Sequence, residues 1–439
     1  MGAAQEIRQD VVVVGGGLAG LIAATAAARS GASVALVDHA ALGGRARTTD
    51  RDGYRFNQGP HAVYLNGALA RSLTDFGIAF PGGPPAAGHS NVVYQGEVHR
   101  LPATPALMAR SRLVGLRDKA RMGVLLARLG RIDTGELADV SAARWIAELG
   151  LGEAATVLVT MLHRIATYSS DLDHLSADAA VAQFRGAATA PGVRYVDGGW
   201  GRLVDRLAEA AVAAGVRIVG DAPVRSIEDG GATHRVVTDG PSLVGRTVIV
   251  AAGSPATTDR LLPVEPRYGD LGPEVTAACI DLGLASAPAP LALFGMDEPL
   301  YLSTHCPPAD LAPEGGAVVH LMRYGARDAA ADQAELWAFA ARAGIHADDA
   351  VAHRVLPHMK VAHASPRPET GGLAGRPGVA VPGLPGVFVA GDWVGAEGLL
   401  ADASSASARA AAAAAVRHLA RASGPEPAHL SGGVGGSGE

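Results

Sequence analysis

Three glycines between an apolar stretch and an alanine-rich stretch form the part of the chain best suited to binding an anion. Gly15, Gly17 and Gly20 follow the valines of residues 11–14. Gly15 allows a tight turn out of a strand, Gly17 lets the backbone approach a pyrophosphate, and Gly20 permits close packing of helix on strand. The N–H groups at the start of the helix then face the anion. We predict a dinucleotide cradle here, which includes the first two residues of the helix, Leu18 and Ala19.

An acidic residue follows the next predicted strand. That strand covers residues 33–37 and ends at Asp38, about 20 residues beyond the glycines, where a carboxylate can accept hydrogen bonds from ribose hydroxyls. Glycine-rich turns are common, but here strand, glycines, helix, second strand and acid occur in order. The order indicates a nucleotide-binding βαβ unit and not an isolated glycine turn.

Two further motifs connect this unit with a family. A Gly-Gly-Arg run at residues 43–45 follows Asp38, and an Ala-Gly-Asp motif at 390–392 precedes a predicted helix over 402–420. The chain thereby resembles the superfamily of FAD-dependent amine oxidases, phytoene desaturases and protoporphyrinogen oxidases. The resemblance implies that Gly44, Arg45, Gly391 and Asp392 lie along a non-covalently bound FAD. Arg45 and Asp392 would contact its pyrophosphate and ribityl regions.

The same resemblance places further residues on the cofactor. It puts Gly59, Pro60 and His61 in a loop beside the isoalloxazine ring, and the backbone of Val224 at the adenine. The remaining predicted contacts stand just before the last helix, at Leu399 and Leu400.

The residues that take part in the reaction are harder to identify. A flavin accepts a hydride itself, so the protein needs no acid or base beyond positioning. His61 titrates near neutrality and could move a proton, or it could only pack against the cofactor. Tyr64 could line the same cavity or serve as a packing aromatic. We predict His61 and Tyr64 as the catalytic candidates, and no metal site.

The substrate class follows from what the chain lacks. In the amine oxidases the segment after the Gly-Asp or Gly-Glu pair supplies a tyrosine to an aromatic cage, but residues 394–401 hold no aromatic. With 4% aromatic residues overall, cation–π recognition of an amine has little material. The desaturase branch is therefore the nearer relative, and we expect hydride removal from a small, rather apolar organic substrate. The alternatives are a redox-neutral flavin-dependent isomerase and a non-catalytic flavin-binding partner protein.

Only one glycine fingerprint follows a predicted strand, which disfavours a reductase fed by NADPH. It leaves oxygen, a quinone or another carrier as the electron acceptor. The net charge of −6 and the lack of a basic block argue against nucleic acid as a partner. Cys279 and Cys306 form no ligand spacing or disulfide framework. No apolar run reaches the ~18 residues of a membrane span, and no leader is evident, so we expect a cytoplasmic protein.

The interleaved pattern predicts an α/β fold. We expect a Rossmann-type FAD-binding domain interleaved with a mixed α+β substrate domain. The segments of the FAD-binding domain are 1–65, 191–264 and 366–422; those of the substrate domain are 66–190 and 265–365; a disordered tail covers 423–439.

Overall fold

The computed structural model describes residues 6–265, 267–269 and 271–422 of the 439-residue chain. The tail predicted over 423–439 lies outside the described residues.

The described chain forms runs of strands separated by single helices or by groups of helices. The strands are β1 (Ile7–Val14), β2 (Val34–Val37), β3 (Thr48–Arg51), β4 (Tyr54–Asn57), β5 (Val63–Tyr64), β6 (Gly82–Gly83), β7 (Ser90–Tyr94), β8 (Glu97–Arg100), β9 (Val193–Val196), β10 (Arg217–Val219), β11 (Val224–Asp229), β12 (His234–Thr238), β13 (Leu243–Val250), β14 (Val275–Leu284), β15 (Ala292–Gly295), β16 (Leu300–Cys306), β17 (Ala317–Tyr324), β18 (Ala350–Ala362) and β19 (Val387–Val389). The α-helices are α1 (Leu18–Arg29), α2 (Ala68–Asp75), α3 (Pro105–Arg110), α4 (Leu116–Arg128), α5 (Ala142–Glu148), α6 (Glu153–Thr167), α7 (Ala177–Ala188), α8 (Trp200–Ala213), α9 (Pro255–Leu261), α10 (Ala329–Ala341) and α11 (Leu400–Ala422).

The first large sheet contains the predicted nucleotide-binding unit. Its strand order is β10-β2-β1-β13-β12-β11, with β19 beside β13. β1 runs parallel to both β2 and β13, while β11 and β12 add antiparallel strands. The valines of β1 are apolar without alternation because both faces of the sheet are covered. Val11 and Val13 pack against α1, α8 and α11, and Val12 packs on the opposite side. The predicted α/β class is confirmed.

The second large sheet has the order β18-β14-β17-β16-β15-β7-β8. β15 lies parallel to β7, so residues 292–295 pair with residues 90–93 and join two distant stretches of chain. One face of this sheet packs against the helices α5, α6 and α7. The other face packs against α10.

The chain moves repeatedly between the two sheets. The first sheet takes its strands from residues 7–37, 217–250 and 387–389, and the second from 90–100 and 275–362. This path leaves the carboxyl ends of β1, β2 and β13 facing an open space, the usual position of a ligand in such a sheet. No helix among the described residues is long and apolar enough to cross a membrane.

Candidate active site

A cavity of about 1420 Å³ extends from the carboxyl ends of the parallel strands into the space under the second sheet and helices α4, α6 and α7. Most of the residues predicted for the site line this cavity. They are Gly15, Gly17, Leu18, Ala19, Asp38, Gly44, Arg45, Pro60, His61, Tyr64, Val224, Gly391, Asp392, Leu399 and Leu400. Gly20 and Gly59 are not among the lining residues.

The glycine turn has the shape that a pyrophosphate requires. Gly15 has φ +104°, and a Cβ there would stand 2.4 Å from the carbonyl oxygen of Ala251. A Cβ on Gly20 would stand 1.7 Å from the Gly15 oxygen, so Gly20 serves helix packing instead of lining the cavity. A Cβ on Gly17 would meet nothing within 4 Å. The backbone at Gly17 is therefore open to the cavity, and the cradle fits a dinucleotide.

Asp38 is fixed at the end of β2. The Gly16 N–H donates to its Oδ2 in a short contact, and the Ala40 N–H donates to Oδ1 at 2.9 Å. The Gly43 N–H donates to the Gly16 carbonyl at 2.8 Å, which ties the Gly-Gly-Arg loop to the glycine turn. These bonds leave the carboxylate at the cavity wall with lone pairs free for ribose hydroxyls.

Arg45, which is partly exposed, and the buried Asp392 form one cluster with a histidine that the sequence did not indicate. Arg45 Nη2 lies 3.1 Å from Asp392 Oδ1, and His363 Nδ1 lies 2.8 Å from the same oxygen. The backbone N–H of His363 donates to Asp392 Oδ2 at 3.0 Å. Burial alone would raise the pKa of Asp392, but Arg45 and His363 outweigh it and hold that pKa well below its usual range. Asp392 is therefore an anion that fixes Arg45 beside the cradle.

His61 is held as a neutral ring with a defined tautomer. Its Nδ1 lies 3.0 Å from the Gly59 carbonyl, which can only accept, so Nδ1 carries the hydrogen. Burial lowers the pKa of His61 to about 4. Its ring meets the edge of Trp200 at 4.7 Å between centroids. Nε2 is consequently unprotonated at neutral pH and can accept a hydrogen bond or, as a weak base, a proton.

The Tyr64 hydroxyl already has a partner. It donates to the Ala166 carbonyl at 2.9 Å, and burial raises the pKa of Tyr64 well above its ordinary value. This geometry favours a lining role for Tyr64.

Asp402 is a cavity residue that sequence reasoning missed. It lies in the first turn of α11, and its Oδ1 accepts a hydrogen bond from the Leu69 N–H at 2.8 Å, at the start of α2. Burial raises the pKa of Asp402 to about 6. The signal that could have indicated Asp402 was its place at the start of the helix predicted after the Ala-Gly-Asp motif.

The part of the cavity lining that residues 84–304 contribute is uncharged, and the charged Lys360 and Asp402 come from later in the chain. Among the described residues between 84 and 304, none that lines the cavity carries a charged side chain. The aromatic rings that line the whole cavity are those of Tyr64, Tyr168, Phe184, Tyr195, Trp200, Phe294 and Tyr301. A chain with few aromatics has therefore gathered many of them around one space.

A buried charged network lies behind this lining. His320 Nδ1 is 2.6 Å from Asp281 Oδ1, and Arg354 Nε donates to Asp281 Oδ2 at 3.0 Å. Burial would raise the pKa of Asp281, but His320 and Arg354 outweigh it and lower it. Cys279 Sγ lies 3.2 Å from the same carboxylate. Cys279, Asp281 and His320 are close enough to ligate a metal, yet Arg354 already neutralises the carboxylate, which favours a structural ion pair.

Comparison with known proteins identifies the family and shows similar folds. Residues 18–287 match the model of the flavin containing amine oxidoreductase family. The fold is similar to that of wild-type putrescine oxidase bound to putrescine, with TM-score 0.70 and 19% identity over 94% of this chain and 100% of that one. It is also similar to an oxidoreductase from Methanosarcina mazei, with TM-score 0.73 and 17% identity over 92% and 99% of the chains.

A sequence relative covers a much shorter stretch. A carotenoid 3,4-desaturase from Haloarcula japonica is 43% identical over 70 residues, which are 16% of this chain and only 14% of that protein. The family match extends over more than half of the chain and confirms the prediction of FAD as cofactor. The chain belongs to the flavin-containing amine oxidoreductase family and is an FAD-dependent oxidoreductase.

Proposed function

We propose that this oxidoreductase removes a hydride from a small, neutral, rather apolar organic molecule. The observation that carries the proposal is the uncharged lining of the cavity between residues 84 and 304. Burying a charged group without a partner is costly, whereas apolar surface enters such a space favourably. Among the lining residues from 84 to 304 a cationic amine would find aromatic faces but no carboxylate, and the Asp402 carboxylate elsewhere in the lining already accepts the Leu69 N–H. A neutral substrate needs no carboxylate.

The two ends of the cavity would have different roles. We propose that segments 1–65, 191–264 and 366–422 hold FAD and that segments 66–190 and 265–365 hold the substrate. Gly15, Gly17 and Asp38 would bind the adenosine diphosphate part, with Arg45 and Asp392 near the pyrophosphate and ribityl regions. When bound there, FAD supplies the two-electron chemistry. The protein supplies orientation and excludes water through the apolar lining.

His61 is our candidate for the residue that accepts a proton. Its Nε2 is the free nitrogen of a neutral ring at the junction of the two halves. Because burial lowers its pKa to about 4, His61 accepts a proton only transiently and orients the substrate at other times. Tyr64 would form the wall opposite.

The electron acceptor is oxygen or a quinone in this proposal. The turn at Gly15 is the only glycine fingerprint that follows a strand of the described residues. A nicotinamide cofactor therefore lacks a second cradle. Both cysteines are unpaired, which agrees with a cytoplasmic location.

Matched ligand pairs test the substrate class. Benzyl alcohol should perturb the flavin spectrum at a concentration at least ~10-fold lower than benzylamine at pH 7, since the lining from residues 84–304 holds no anion for the ammonium. Gln183 is a buried lining residue, and Gln183→Glu should reverse the preference while keeping the side chain's shape. Tighter binding of benzylamine to the wild-type protein would refute the proposal.

Turnover then separates oxidation from isomerisation. With a converted substrate, oxygen or quinone consumption should equal product formed. Product without acceptor consumption would instead establish the redox-neutral isomerase.

A further inference from the structure

Helices α3 and α4 and the residues beside them, between Glu97 and Asp133, are rich in positive charge. Residues 98–131 hold eight Lys and Arg side chains and one acid, Asp118, in a chain whose net charge is −6. The sequence expectation that the chain has no basic block is wrong for this stretch. Five of its arginines are exposed, and none of the five forms an ion pair within the described part of the chain: Arg110, Arg112, Arg117, Arg128 and Arg131.

The same helices expose large apolar side chains. Leu116 is 84% exposed and Val124 is 52% exposed. Leu116, Ala120, Val124 and Arg128 follow one another at intervals of four, which places them on one face of α4. Within α4 only Met122 is buried. Exposed apolar side chains grouped on one face, beside charged ones, are typical of an interaction surface.

The opposite side of α4 forms part of the cavity wall. Met122 and Leu125 line the cavity, and so does Met108 of α3. Lys119 Nζ donates to the Ala109 and Ser111 carbonyls at 3.0 and 2.7 Å, which holds the two helices together. The helix pair is thus a thin wall with the apolar cavity on one side and the basic, apolar face on the other.

We propose that the face formed by α3 and α4, with Leu116, Val124, Arg117 and Arg128 as its centre, docks the enzyme on an anionic lipid surface. An amphipathic helix with basic residues beside exposed apolar ones lies in the plane of a lipid interface, where its apolar side chains enter the boundary and its cations meet the headgroups. Docking there sets the cavity wall against the phase in which an apolar molecule dissolves. Only this route of substrate access rests on the proposed function; the docking itself does not.

Vesicle sedimentation of the FAD-loaded protein tests the proposal. The protein should sediment with phosphatidylglycerol vesicles and stay in solution with phosphatidylcholine vesicles. Leu116→Ser with Val124→Ser, and separately Arg117→Glu with Arg128→Glu, should each lower the partition coefficient at least ~10-fold. None of these four residues lines the cavity, so bound flavin and thermal midpoint should stay as in the wild type.

Matched controls lie on other faces. Val212 and Val351 are 58% and 56% exposed, and Val212→Ser with Val351→Ser should leave partitioning unchanged. Arg217 and Arg421 are exposed arginines, and Arg217→Glu with Arg421→Glu should have little effect. Failure to sediment with anionic vesicles, or sedimentation that the α4 variants do not reduce, would overturn the proposal. So would binding of polyglutamate or RNA without binding of vesicles. Because no turnover is measured, these results are independent of the substrate.

Discussion

Two carboxylates near the glycine turn, those of Asp38 and Asp392, are held in place by the groups around them. Asp38 accepts two backbone N–H groups and still faces the cavity. Asp392 is an anion buried between Arg45 and His363. In both cases the carboxylate's surroundings keep it oriented before the cofactor arrives, which lowers the entropic cost of binding.

Replacing Asp38 by Ala should weaken FAD binding by roughly 1 to 3 kcal/mol, because the ribose would lose a charged acceptor. Titration of the apoprotein with FAD, followed by flavin fluorescence, measures the change. Asp205→Ala, at an exposed position of α8, is the matched control and should leave the dissociation constant unaltered. An Asp38→Ala protein with wild-type affinity would mean that Asp38 is not at the ribose.

Residues that belong to local motifs could be predicted, and residues assembled by tertiary pairing could not. Gly15, Gly17, Asp38 and Arg45 stand within 31 residues of sequence, counted along the chain, and a turn fixes their relation. His363 reaches Asp392 from the end of β18, across 29 positions. No periodicity in the sequence indicates that His363 contacts Asp392.

At the scale of elements, the same distinction holds. β2 was predicted over residues 33–37 and α11 over residues 402–420, each within two residues of its bounds in the structure. The pairing of β15 with β7 was not, because parallel strands joined by a long excursion leave no local signal. The network of Asp281, His320 and Arg354 depends on just such pairings, since its members come from β14, β17 and β18.

Breaking that network should loosen the second sheet from the loop that precedes His61. Arg354 also donates to the Asn57 carbonyl and to Thr49 Oγ1. Arg354→Met leaves Asp281 a buried charge with one partner, and should cost about 3 to 5 kcal/mol of unfolding free energy. Arg342→Met removes a partly exposed pair with Glu298 and should cost at most ~1 kcal/mol. Urea unfolding at pH 7 compares the two.

The pH dependence gives a second readout of the same network. The pKa of Asp281 is lowered in the folded protein, so its stabilisation is present above the unfolded pKa of about 3.9 and is lost as pH falls through the folded value. The difference between wild type and Arg354→Met should therefore shrink below about pH 4. A difference that stays constant down to acid unfolding would contradict the ion-pair account.

At the scale of the whole molecule, two sheets built from interleaved stretches enclose one continuous cavity. The glycine turn and its fixed charges lie at one end, and the lining residues from 84 to 304 carry no charge. The junction carries His61, with its free Nε2 and its ring against Trp200. In the proposed function this cavity brings FAD and a neutral molecule together, and the described residues provide no second glycine cradle after a strand.

This arrangement predicts how electrons leave. NADH and NADPH should reduce the flavin no faster than background, since direct hydride transfer needs the nicotinamide about 3 to 3.5 Å from the ring and the described residues provide no second glycine cradle after a strand. Substrate-reduced enzyme should be reoxidised by oxygen or by an artificial quinone. His61→Ala should slow reduction by substrate more than reoxidation, because His61 borders the cavity and not the adenosine end. Asp38→Ala, saturated with FAD, should change neither rate. Stopped-flow traces with rapid, saturable bleaching by NADPH alone would move the enzyme into the reductase class.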